Sequence, residues 1–241
     1  MNIVIKDINI SYIMFGSGKD ILLLHGWGQN KEMMLPIGKK LDNFRITILD
    51  LPGFGSSSEP ITSYDIYEYT EIIHEFVEKL GLKKPIIIGH SFGGRIGIIY
   101  ASKYDVEKLI LFGAPCVRDR KPSTKEKILK TIKKIPGTKM LVEVAKNYIG
   151  STDYKKATPI MRGILVKTIN EDLSECAKKI KVPTILIWGT NDTQAPLADA
   201  EKLEKLLSDG ALIKIDGASH YAYLEHLDYV IKIIKSFIGG N

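Results

Sequence analysis

Two hydrophobic rhythms alternate along this chain, and each change of rhythm marks an element. Ile3–Ile5 and Ile8–Phe15 read as two strands of an opening antiparallel hairpin that turns at Lys6-Asp7. Ile21–Leu24 is apolar at every position, as in a strand buried on both faces. Further strands are expected at Arg45–Leu49, Ile86–Gly89, Lys108–Phe112, Thr184–Trp188 and Ala211–Ile215. Between them the spacing lengthens to three and four. Ile66, Tyr69, Ile73, Phe76, Val77 and Leu80 predict an amphipathic helix over Tyr64–Leu80, stopped by Gly81. Other helices are expected over Lys31–Leu41, from Ser91 onward, over Pro196–Leu207, and in a final stretch ending near Ile238. Strand alternating with helix predicts an α/β fold, a mostly parallel central sheet with helices on both faces.

From Cys116 to about Lys179 no strand-like run occurs. Helical patterns there are broken at Pro136-Gly137, Gly150-Ser151 and Thr158-Pro159. The expected organisation is therefore a core domain made of residues 1–115 and 180–241, with residues 116–179 inserted as a small helical cap.

Composition narrows the picture. The chain has 241 residues, 44% hydrophobic and 26% charged, ordinary for one globular domain with an insertion. Its two cysteines, Cys116 and Cys176, have no Cys/His neighbours at zinc spacing and make no disulfide framework. The N-terminus lacks the apolar core of a secretion signal, and no apolar run approaches membrane-spanning length, so a cytoplasmic protein without a membrane span is expected. The net charge of +6 comes from lysines interleaved with acids, which argues against a nucleic-acid partner. One local exception lies in the insertion. Arg118, Arg120, Lys121, Lys125, Lys127, Lys130, Lys133, Lys134 and Lys139 outnumber Asp119 and Glu126. The ordinary meaning is the polar face of cap helices; the sharper one is a docking surface for an anionic substrate or carrier.

The candidate chemistry centres on Gly89-His90-Ser91-Phe92-Gly93-Gly94, set between an apolar strand and an apolar helix. Gly-x-Ser-x-Gly is what a sharp strand-to-helix turn needs sterically, and it leaves Ser91 exposed at the helix N-terminus. A serine hydroxyl needs a neighbouring base, and the base an orienting carboxylate. In a parallel sheet such partners come from loops at the carboxyl ends of strands. Those loops carry His25, Asp50, Ser91, Asp192, Asp216 and His220. Among the five histidines, His74 falls within a helix, His226 in the last helix, and His90 in the packing of the turn. His25 is the rival to His220, although its glycine neighbours fit a structural role. Asp50 and Asp216 are alternatives to Asp192; Asp50, before Leu51-Pro52-Gly53, has the position of a turn cap.

With these motifs in order, the chain resembles the α/β-hydrolase family over nearly its whole length. His25-Gly26-Trp27-Gly28 is similar to that family's oxyanion loop, Gly89–Gly94 to its nucleophile elbow, Gly189-Thr190-Asn191-Asp192 to its acid loop, and Gly217-Ala218-Ser219-His220 to its histidine loop. The resemblance implies a carboxylesterase-like serine hydrolase. Ser91 would be its nucleophile, His220 its base and Asp192 its acid, with the Trp27 and Phe92 backbone N–H groups as oxyanion hole. Asp119 follows the strand that carries the acid in a minority of the family. No cofactor or metal is implied. Trp27, Phe92 and Phe54 are candidates for an apolar acyl pocket. Serine rather than aspartate at position 91 argues against halide or epoxide chemistry. Thioesters, amides, lactones and C–C bonds remain alternative substrates for the same residues, and a slow hydrolase-fold sensor an alternative function. Esterases of the family that act on acyl groups held by an acidic carrier have a similar His-Gly-Trp-Gly loop and a basic cap.

Overall fold

The computed structural model describes residues 1–118, 154 and 157–239. Asp119, Glu126 and the basic run from Arg120 to Lys139 lie outside the described residues, as does most of the expected insertion. Among the described residues, eight strands form one sheet in the order β1-β2-β4-β3-β5-β6-β7-β8. They are β1 (Asn2–Ile5), β2 (Ile8–Gly16), β3 (Lys19–Leu24), β4 (Phe44–Leu49), β5 (Ile86–His90), β6 (Leu109–Phe112), β7 (Thr184–Gly189) and β8 (Gly210–Ile215). The β1–β2 and β2–β4 pairs are antiparallel, and every pair from β4 to β8 is parallel. The opening hairpin turns through Lys6 and Asp7 with φ of 47° and 64°, the left-handed pair of a two-residue turn.

The parallel strands divide their side chains between two cores, which is why their sequences are apolar throughout. Leu22, Leu24, Ile87, Leu109, Leu111, Leu186 and Trp188 pack on one face against α2 (Ile66–Leu80) and α3 (Phe92–Lys103). Ile21, Leu23, Ile86, Ile88, Ile110, Phe112, Ile185 and Ile187 pack on the other, under α1 (Leu35–Gly38) and the two C-terminal helices. Between β6 and β7 lie α4 (Pro159–Asn170) and α5 (Ser174–Ala177); α6 (Leu197–Leu206) joins β7 to β8.

Three helices differ from the sequence expectation, each for a local reason. The stretch 31–41 is a single 3₁₀ turn at Lys31–Met33, capped by Asn30, followed by the short α1. Pro36 has no N–H to extend a helix begun at residue 31, so the helix restarts with the proline in its first turn. The helix expected from Tyr64 starts at Ile66, because Asp65 and Glu68 form a reciprocal capping box. The final helix is two, α7 (Ala222–Glu225) and α8 (Leu227–Ile238), broken at His226, whose φ and ψ of −123° and 42° are not helical. His226 is thus an exposed junction residue and not part of a continuous helix.

Candidate active site

The carboxyl ends of β3, β5, β6, β7 and β8 converge on one cavity of about 650 Å³, lined among others by Trp27, Ser91, Phe92 and His220. Ser91 stands between β5 and α3 with φ 49° and ψ −108°, a conformation that L-residues rarely adopt. Its backbone N–H is fixed by Phe112 O at 2.8 Å. The flanking glycines are forced by contact. A Cβ on Gly89 would lie 2.6 Å from Gly94 Cα, and one on Gly93 would lie 2.4 Å from Leu24 O and 2.6 Å from His25 O. The helix thus sits hard against β3 and β5, with its N-terminus at the serine. The Ser91 hydroxyl makes no hydrogen bond to the other described residues, and its side chain is half-buried at the cavity wall.

His220 and Asp192 are both buried, and His220 Nδ1 donates to Asp192 Oδ2 at 2.7 Å. The second carboxylate oxygen accepts the Gln194 and Ala195 N–H groups, each at 2.8 Å. Trp188 Nε1 donates to Ala195 O at 2.6 Å and ties that loop to β7. With Nδ1–H committed to the carboxylate, the lone pair of His220 is on Nε2. Gly113, at φ 50°, leaves room for this pair: a Cβ there would come 2.9 Å from His220 Nδ1 and 3.2 Å from Asp192 Oδ2.

Trp27 and Phe92 both line the same cavity, and among the described residues neither backbone N–H is given an acceptor. Trp27 and Phe92 touch edge to face with ring centroids 5.3 Å apart. Phe54 does not line the cavity; it packs behind Trp27 at 4.9 Å and against the edge of His25 at 5.7 Å. Of the three aromatics expected at an acyl pocket, two therefore face it.

The rival residues lie elsewhere or are committed. His25 is fully buried, and its Nε2 accepts the Leu51 N–H at 2.9 Å, so Nδ1 carries the proton and donates to Gly26 O at 2.8 Å. Burial lowers its pKa to about 4, and neither nitrogen is left to act as a base. Asp50 is buried and accepts from Lys31 Nζ at 2.6 Å, from Lys31 N at 2.7 Å and from Ser56 N at 2.9 Å. Burial opposes its charge, but these donors prevail and hold its pKa below the usual carboxylate value. Asp216 accepts from the exposed Thr190 hydroxyl at 3.1 Å, and His74 stacks on Tyr104 at 3.6 Å on the α2–α3 surface.

Two residues here carry no sequence signal. His90 Nε2–H donates to the backbone carbonyl of His220 at 3.1 Å, and His90 Nδ1 faces the Gln29 amide at 3.2 Å. Gln29 Oε1 in turn accepts the Gly26 N–H at 2.9 Å. The ring next to the serine is thus hydrogen-bonded to the histidine loop, 130 residues away, and only packs against Gln29 on the Gly26–Trp27 side, 61 residues away, because its one N–H is spent on the His220 carbonyl. Burial, then the neighbouring His220, lower its pKa to about 3 and keep it neutral. No three side chains of metal-ligating type come together among the described residues.

Comparison with known proteins bears on the fold. A family model described as the alpha/beta hydrolase fold matches residues 20–142. The chain is 28% identical over 255 residues to an AB hydrolase superfamily protein, YisY, of Bacillus subtilis, covering 92% of each. It is 29% identical over 255 residues to the pimeloyl-[acyl-carrier protein] methyl ester esterase of Wigglesworthia glossinidia brevipalpis, covering 93% of this chain and 96% of that protein. A solved esterase (EaEST) from Exiguobacterium antarcticum shares the fold, with a TM-score of 0.79 at 23% identity over 99% of both chains.

Proposed function

This chain belongs to the α/β-hydrolase fold family, and from that premise we propose that it is a serine esterase, cleaving small to medium carboxylic esters through an acyl-enzyme intermediate. The observation that carries the reading is the buried His220–Asp192 pair at 2.7 Å, opening on the cavity that Ser91 also lines. Ser91 Oγ attacks the ester carbonyl and His220 Nε2 takes its proton. Asp192 fixes the tautomer and stabilises the imidazolium without accepting the proton. The oxyanion is held by the Trp27 and Phe92 N–H groups, helped by the positive end of α3. His220 then returns its proton to the departing alkoxide. Water, activated by the same histidine, hydrolyses the acyl-enzyme. No step calls on a cofactor. The Ser91–His220 hydrogen bond closes when substrate binds, as such contacts commonly do.

In this reading residues 1–115 and 180–241 form the catalytic domain and residues 116–179 the cap. The similarity to an esterase of an acyl-carrier-bound methyl ester supports ester substrates and is compatible with an anionic carrier at the basic run beyond Arg118. A fluorophosphonate probe should label Ser91, and Ser91→Ala should abolish both labelling and hydrolysis of p-nitrophenyl acetate. A wild-type protein that is neither labelled nor active on any short ester would end the reading.

A further inference from the structure

One cation in the cavity wall is not accounted for by ester cleavage. Arg95 lies on α3, four residues after Ser91, so about 6 Å further along the helix axis. Its side chain lines the cavity at only 7% exposure. Three of its five N–H groups are placed. Nη1 donates to Pro115 O at 2.5 Å, and Nη2 donates to Thr168 O at 2.9 Å and to Glu171 O at 2.7 Å. These carbonyls fix the plane of the guanidinium but do not neutralise it. Among the described residues no carboxylate lies within ion-pair distance of Arg95, which is unusual for a charge so buried. Burial lowers its pKa, and Glu171 and Asp172 offset that only through space. The Glu171 carboxylate instead faces the Tyr67 hydroxyl, whose pKa is raised by burial first and then by Cys176 and Glu171.

Two polar atoms here have no partner among the described residues. Arg95 Nε is buried with no acceptor, and Thr168 Oγ1, on a cavity-lining residue that is 2% exposed, is buried with no hydrogen bond. Buried donors without partners are rare, and two on cavity-lining residues that are themselves joined by the Arg95 Nη2–Thr168 O bond mark a place where a ligand oxygen belongs. The ligand must be an acceptor, and beside an uncompensated guanidinium it should be an anion. A carboxylate fits, since its two oxygens can take an arginine N–H and a hydroxyl together.

We propose that Arg95 and Thr168 form a carboxylate-binding subsite one helical turn from Ser91, so that the preferred substrates are half-esters of dicarboxylic acids. The free carboxylate is seated on Arg95 while the ester carbonyl reaches Ser91 Oγ across a spacer of a few methylenes. This deepens the ester-hydrolase reading and rests on it.

The test compares monomethyl esters of dicarboxylic acids with three to six methylenes against their dimethyl esters, which carry the same chain without the charge. At the best spacer length, kcat/KM for the monomethyl ester should exceed that for the dimethyl ester by about tenfold or more, mostly through KM. Arg95→Met should bring that ratio down to about one or below, and Thr168→Val should reduce it several-fold. If Arg95→Met does not fold, because Arg95 also ties α3 to α4, Thr168→Val and the wild-type ratio still decide. Binding to the Ser91→Ala protein, followed by calorimetry, reads the subsite without turnover. There monomethyl adipate should bind tighter than dimethyl adipate. Turnover of both esters with no preference for the charged one would overturn the subsite and leave the esterase reading standing. Preferential binding with no turnover of any ester would overturn the esterase reading instead.

Discussion

His220 Nδ1 lies 2.7 Å from Asp192 Oδ2, and the other oxygen of the same carboxylate is held by two backbone N–H groups of its own loop. The aspartate is therefore oriented before the histidine meets it, and only its Oδ2 is left to direct the ring. Asp50, also buried, has the contrary arrangement. Both of its oxygens are spent on Lys31, in the 3₁₀ turn between β3 and β4, and on Ser56 N, in the loop that follows β4.

The two aspartates should accordingly separate in their effects. Asp192→Asn keeps the fold and lowers kcat for a short ester by roughly 10³–10⁴-fold, with little change in KM, because the wrong tautomer of His220 is favoured. Asp50→Ala strips three donors of their acceptor and should lower stability by about 2–4 kcal/mol in urea unfolding, with a far smaller effect on kcat. Exchange of these two phenotypes would assign the acid to Asp50.

His90 is expected to act through His220, as a positioning residue. His90→Leu removes the N–H that the His220 carbonyl accepts, and should lower kcat about 10- to 100-fold while leaving the KM of a short ester nearly unchanged. His90→Gln can still donate to that carbonyl and should recover part of the loss. Equal losses in the two variants, or a loss confined to KM, would reduce His90 to packing.

The strands and the serine turn were legible because their causes are local. Ile21–Leu24 and Ile86–Ile88 are apolar at every position since each faces two cores, and the glycines flanking Ser91 answer contacts that any such turn makes. Pro36 explains the broken 31–41 helix equally locally, although periodicity alone conceals it. The bond from His90 to the His220 loop, the buried guanidinium of Arg95 and the space left by Gly113 were not legible. Each depends on partners from distant strands that only the sheet order brings together: Arg95 reaches carbonyls 73 and 76 residues away. The same is true of Phe54, whose position behind Trp27 follows from how the loop after β4 folds over His25.

Stability should fall with acidity earlier than carboxylates alone would cause. His25 and His90 have pKa values lowered to about 4 and about 3 from 6.5, both by burial first. Below pH 6.5 the unfolded chain therefore binds protons at these two positions that the folded chain refuses. Stability from their neutral burial is fully present above that pH and is lost as pH falls toward 4. Each histidine contributes a slope of about 1.4 kcal/mol per pH unit within the window. Asp20 and Asp50 have pKa values lowered from 3.8, so their losses begin at more acidic pH. Urea unfolding of wild type and His25→Asn between pH 5 and 6 checks this: the variant's slope should be shallower by about one histidine's share. An unchanged slope would mean that His25 is protonated in the folded state.

Gly93 and Gly97 occupy the same helix one turn apart, and alanine should have opposite outcomes at the two. At Gly93 the new Cβ would lie 2.4 Å and 2.6 Å from the Leu24 and His25 carbonyl oxygens, backbone atoms at the end of a central strand that cannot retreat without moving β3. Gly93 N also donates to His25 O at 3.1 Å, so any shift of the helix costs a hydrogen bond as well. Gly93→Ala should destabilise by about 1–3 kcal/mol or more. It should also displace the Trp27 and Phe92 N–H groups relative to Ser91, lowering kcat beyond what the loss of folded protein explains. At Gly97 the nearest atoms are side-chain methyls of Leu109 and Ile87 at 3.2 Å and 3.3 Å, which can give way by a few tenths of an ångström. Alanine there also gains up to about 1 kcal/mol of helix propensity. Gly97→Ala should therefore be near neutral in stability and fully active. Thermal unfolding together with kcat for the two variants decides whether the elbow's glycines serve the position of the nucleophile or merely the packing of the helix.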